Sequence, residues 1–124
     1  MYRTIAILLL TIGLLVPAAS AAERPSRWRG VWRVSQALLC GANAADIASS
    51  WGKTEANPLL RTGSRFSYGS MAIKLGALTG SLAAQHYLIR KNPAHAPLFA
   101  SANLAATAAL AIVAEHNMHI PKPN

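Results

Sequence analysis

With 124 residues, the chain holds one domain at most. Apolar residues make up 52% of it and charged residues only 13%, about half the charged share of an ordinary soluble domain, which argues against a globular protein with a charged coat. The net charge of +8 comes from twelve Lys and Arg against four acids, but the bases sit mainly at the ends of apolar runs. They read as membrane-surface anchors, not as a nucleic-acid footprint.

The opening segment, MYRTIAILLLTIGLLVPAASAAE, has one base, Arg3, and then an apolar run from Ile5 to Val16. Pro17 breaks the run and small residues follow. Ala19-Ser20-Ala21 fits the A-x-A cleavage pattern, so residues 1–21 read as a signal peptide cut after Ala21. The alternative is an uncleaved anchor helix, and either one sends the chain to a membrane. Residues 22–30 then read as a basic linker carrying Arg24, Arg27 and Arg29.

Three helical stretches are predicted next, over about 31–51, 68–89 and 97–116. None alternates like a half-buried strand, and none has an internal proline beyond Pro97 at the start of the third. Pro97 suits a first helical position, because its φ is fixed and it has no N–H to satisfy. From Pro97 to Ala114 there is no charged residue. A soluble helix of that length needs a charged outer face, and about 18 residues without one meet the usual threshold for a membrane span. Residues 118–124 read as a Pro-containing tail.

Polar residues form stripes along these helices. Gln36, Asn43, Asp46 and Ser50 share one face of the first; Ser70, Lys74, Ser81 and Gln85 share one face of the second. Asn103, Thr107 and Asn117 recur on the third. Polar stripes are costly against lipid, so they are expected to face one another inside a bundle. Small residues, with Gly76 and Gly80 in a G-x-x-x-G and with Ala102, Ala106 and Ala109, suit close helix packing within the chain or in a homodimer.

Antiparallel neighbours bring the charges level. Asp46 and Lys74 each lie about 9 Å in from the same end, at about 1.5 Å rise per residue, and are expected to pair. The third helix returns Glu115, His116 and Asn117 to that side. In the intervening loop, Asn57-Pro58 reads as a cap on a short turn, PLLR, ended by Gly63. Glu55 is expected near Lys53, Arg61 or Lys74. The candidate polar cluster is therefore Asp46, Ser50, Glu55, Asn57, Lys74 and Asn117.

The pattern Asp46-x-x-Ser49-Ser50, Glu55-x-Asn57-Pro58, Lys74 and a late Asn117 resembles a family of small bacterial and archaeal membrane proteins catalogued as a domain of unknown function. The resemblance spans about residues 34–117. It implies a helical hairpin plus a third helix, and nothing about a reaction.

Other chemistry finds little support. Cys40 is the only cysteine, which excludes an internal disulfide or a Cys-pair metal site. Glu115, His116 and His119 are candidate metal ligands, because the two histidines are three apart, but HNMHIPKPN reads as a fraying helix end. No cofactor is expected. Ser49 and Ser50 have no local histidine, and a Ser50–Lys74 dyad fails if Asp46 holds the lysine. The expected class is an all-α, membrane-embedded, antiparallel three-helix bundle over 31–117, multi-pass in the bacterial inner membrane. It is read as a non-enzymatic assembly or interaction subunit, with lipid and either other membrane proteins or a second copy as partners. A minimal transporter or proton- or ion-linked carrier is the alternative, and a soluble or peripheral periplasmic helical protein is the second alternative.

Overall fold

A computed structural model describes residues 25–55 and 57–122 of the chain. The cleavage motif at Ala19–Ala21 lies outside these residues. Among the described residues the chain is all-helical, with no strand. Helix α1 spans Pro25–Ser50, α2 spans Tyr68–Lys91 and α3 spans Ala96–Met118. A single 3₁₀ turn, Pro93–His95, joins α2 to α3.

The expected basic linker is helical from Pro25 onward. Arginine is a good helix former, and Pro25 stands at the first position, where a missing N–H costs nothing. Arg27, Arg29 and Arg33 therefore decorate the first turns of α1 and do not tether it. At the α2–α3 corner, Asn92 caps the 3₁₀ turn: its Oδ1 accepts from the N–H of Ala94 at 3.1 Å. Pro97 falls in the first turn of α3, one residue after its start.

Helices α1 and α3 lie closely along one another, while α2 stands further off and reaches them through long side chains. The close approach is made by small residues, with Ser35, Ala96, Ala100 and Ala114 all buried. Ser35 meets Asn103 and Ser50 meets Asn117, so α1 and α3 run the same way. Trp32 meets Gln85 and Asp46 meets Lys74, so α2 runs counter to both. One apolar cluster of Trp32, Ile89, Ala96 and Ala100, flanked by Trp28, Val31 and Phe99, closes the end where α1 begins.

Gly76 and Gly80 do not pack within the chain. A Cβ placed on either would meet nothing within 4 Å. The G-x-x-x-G face of α2 points outward, because α2 turns its polar stripe, not its small residues, toward α1.

The loop after α1 folds back on itself. The N–H of Gly52 donates to the carbonyl of Phe66 at 3.2 Å, and that of Phe66 to the carbonyl of Lys53 at 2.8 Å. Thr54 and Arg65 form an isolated bridge. Gly52 takes φ +73°, the left-handed conformation that ends α1. Gly63, the expected cap, does not: Pro58–Leu60 is a turn, not a helix needing termination. Gly52→Ala is expected to lower stability by about 1–2 kcal/mol, the cost of a left-handed non-glycine residue. Thermal unfolding checks this, and Gly63→Ala should leave the melting point unchanged.

Candidate functional site

The polar stripes turn inward and meet at two levels. The first level is the expected cluster, at the end where α1 stops. Lys74 on α2 forms an ion pair with Asp46 on α1 through Nζ and Oδ2. Asp46 is 2% exposed and Lys74 15%, so the pair is largely out of solvent. Ser50, one turn after Asp46, donates to Oδ1 at 3.3 Å. Asn117 on α3 donates to the same oxygen at 3.4 Å and to Ser50 Oγ at 2.9 Å. The carboxylate is thereby held from all three helices.

Two further contacts close this end. Lys53 donates its ammonium to the backbone carbonyl of Asn117, one of the last carbonyls of α3. That carbonyl also accepts from the N–H of Ile120 at 3.2 Å, and the last carbonyls of a helix carry the negative end of its dipole, so a lysine there is favourable. Sequence reasoning put Lys53 beside Glu55 and missed this role, which depends on how the loop folds back. Phe66, 3% exposed, lies beneath Lys74, whose Nζ is 5.9 Å from its ring centroid.

Glu55 and Asn57 work on the loop backbone. Glu55, buried, accepts from the N–H of Asn57 through Oε1 at 2.7 Å, and its carbonyl accepts from Arg61 at 3.4 Å. Asn57 Oδ1 accepts from the N–H of Leu59 at 3.0 Å, the cap expected from Asn57-Pro58. A recess of about 400 Å³ opens at this end. Asp46, Lys53, Glu55 and Lys74 supply its charges, and Leu110 and Val113 form part of its apolar wall.

The second level was only half legible. Gln85 and Asn103 exchange a reciprocal pair of amide bonds, 2.8 Å from Gln85 Nε2 to Asn103 Oδ1 and 3.0 Å from Asn103 Nδ2 to Gln85 Oε1. Trp32 Nε1 donates to Gln85 Oε1 at 3.0 Å, and Asn103 Nδ2 to Ser35 Oγ at 3.2 Å. The Ser35 hydroxyl in turn donates to the carbonyl of Trp32 at 2.7 Å. All four side chains are buried. The stripes had included Gln85 and Asn103, but Trp32 and Ser35 were missed. The available signal was a polar-tipped aromatic and a serine, spaced three apart, among exposed arginines.

Other stripe members stay on their own helix. Asn43 donates to the carbonyl of Leu39 and Thr107 to that of Asn103; Ser49, beside the stripe, likewise donates to the carbonyl of Asp46. At the end of α3, His119 Nδ1 lies 2.9 Å from the backbone carbonyl of Glu115, not beside that carboxylate. Among the described residues no three His, Cys, Asp or Glu side chains gather to hold a metal, so Glu115, His116 and His119 are not assembled as ligands.

Ser50 donates to a carboxylate, and Lys74 is committed to that same carboxylate. Neither is arranged as a nucleophile with a free base. Among the described residues no buried side-chain nitrogen or oxygen lacks a partner. Such full satisfaction is what a polar interior needs in order to fix one packing.

Compared with protein-family models, with curated proteins and with solved structures, the chain gives no match.

Proposed function

We propose that this chain is a small integral membrane protein of the bacterial inner membrane. In this reading it crosses the bilayer three times as an antiparallel bundle after its signal or anchor segment, and acts as a non-enzymatic assembly or interaction subunit. The observation that carries the reading is an inverted distribution of polarity. Buried positions hold Ser35, Asn43, Asp46, Glu55, Ser70, Gln85 and Asn103, while Val34, Leu38, Ile73, Leu104, Ile112 and Val113 are exposed. In water this arrangement wastes apolar burial; in lipid it is the economical one.

Helix α3 makes the point most directly. With its preceding 3₁₀ turn, over Pro93–Met118, it is the one described helix long and apolar enough to cross a membrane, and only 17% of its apolar window is buried. A core helix of a soluble periplasmic protein would be mostly covered. The outward Gly76–Gly80 face of α2, next to exposed Ile73 and Leu75, supports close packing by another membrane helix.

The expected outcome is that the protein stays with the membrane pellet after washing with high salt and then alkaline carbonate. Release by salt alone would assign it to the periphery. A carrier is the second reading, favoured by the recess that reaches Asp46 and Lys74. The mass of the detergent-solubilised particle separates the two. A heteromeric complex supports the subunit reading, and a defined homo-oligomer supports the carrier.

A further inference from the structure

The two ends of the bundle differ in charge. The three carboxylates among the described residues, Asp46, Glu55 and Glu115, belong to the end where α1 and α3 stop. At the other end α1 begins, α2 finishes and α3 begins, as the Trp32–Ile89–Ala96 cluster requires. That end carries Arg27, Arg29 and Arg33 from α1 with Arg90 and Lys91 from α2, all exposed. Sequence spacing puts these bases some 60 residues apart; the counter-running α2 brings them to one level.

On the α2 side of this rim lies a recess of about 440 Å³, lined by Ala83, His86, Tyr87, Arg90 and Lys91. Lys91 sits over the Tyr87 ring, 4.8 Å from its centroid, and His86 is 6.1 Å from Trp32, ring to ring. We propose that this recess binds the phosphate headgroup of an anionic phospholipid, with the surrounding arginines holding the protein against an acidic leaflet. The inference rests on the membrane reading above.

The chemistry fits that ligand. A guanidinium offers two parallel N–H donors matched to phosphate oxygens. Tyr87, exposed on the recess, has the apolar body and polar tip of residues that settle at headgroup depth. Ala83 continues the recess one turn further from the rim, where an acyl chain would begin. Arg90 and Lys91 also lie in the last turn of α2, where they favour its terminal carbonyls. That role needs no lipid, so a lipid-dependent readout separates the two.

The experiment follows the melting point of the full chain in neutral detergent micelles as phosphatidylglycerol is added. The wild type should be stabilised in a saturable way, while phosphatidylcholine at the same fraction has little effect. Each basic side chain near an anionic surface changes affinity about 5-fold, so Arg90→Gln with Lys91→Gln should raise the half-saturating lipid fraction about 25-fold. Arg90→Lys with Lys91→Arg should retain the response, as should Lys122→Gln at the opposite end. Arg90→Gln alone, expected to show about a 5-fold change, serves if the double variant does not fold. Equal stabilisation by phosphatidylcholine, or an unchanged response in the double variant, overturns the site. So does stabilisation by free glycerol 3-phosphate, or by a short RNA in place of the lipid. A flat titration of protein that still resists carbonate extraction removes the headgroup site and leaves the membrane reading standing.

Discussion

Asp46→Ala is expected to be the most damaging single substitution in the chain. It strands the Lys74 ammonium in a site where that group is 15% exposed, and it removes the acceptor shared by Ser50 and Asn117. Breaking one partner of a buried pair typically costs about 3–5 kcal/mol. Lys74→Ala strands the carboxylate, but Ser50 and Asn117 still donate to it, so its loss should be smaller. If the pair is architectural, Asp46→Leu with Lys74→Leu should recover much of the stability, because two apolar side chains fill the site with no charge to desolvate. Thermal unfolding in detergent reads all of these variants. Losses at Asp46 and Lys74 that simply add would contradict the pairing. A double variant that folds but loses the phenotype the gene supports would move the cluster from architecture to function.

The second large effect is expected at Asn103. Its side chain ties α3 to both other helices, through Ser35 on α1 and Gln85 on α2. Asn103→Leu leaves the Gln85 amide and the Ser35 hydroxyl without that partner. Each buried orphan costs about 1–3 kcal/mol in the general case, while hydrogen bonds between membrane helices average nearer 0.6 kcal/mol. A loss of about 2 kcal/mol is the expected result. Gln85→Leu should cost a similar amount, since it also strands Trp32 Nε1. The double variant should lose clearly less than the sum of the two singles, with a coupling of about 1 kcal/mol in detergent melts. Additive losses would show that the two amides do not share a network.

How much of this was legible depends on what sets each contact. The Asp46–Lys74 level follows from helix rise and from helices that return on themselves, so counting residues from the loop finds it. The inward turn of the stripes follows from period 3.6. The Trp32–Gln85–Asn103–Ser35 network needs more, namely the rotation of each helix and the distance between axes. Those are set by small residues such as Ala96 and Ala100 packing α1 against α3. On α2 the polar contacts of Lys74 and Gln85 set the rotation and turn Gly76 and Gly80 outward, against the simple expectation that a G-x-x-x-G serves the chain's own packing. The helical arginines were hidden for another reason. A basic run before an apolar one reads as a linker, yet Arg27, Arg29 and Arg33 are compatible with a helix at every step. Gly63 was misread because Pro58–Leu60 looked like a helix in need of a stop, when the left-handed residue is Gly52.

The central claim is that the apolar exterior faces lipid along α1 and α2 as well as along the more hydrophobic α3. Cys40 tests it without any substitution. It is the chain's only cysteine, it lies midway along α1, and its side chain faces outward. A thiol reacts with maleimide only as the thiolate, which needs water around it. Freeze–thawed membranes, with both faces open, should therefore show almost no labelling of Cys40 by a charged, water-soluble maleimide, and full labelling once the protein is denatured in SDS. Prompt and complete labelling in the intact membranes would place α1 in water and contradict the bundle as a membrane-embedded structure.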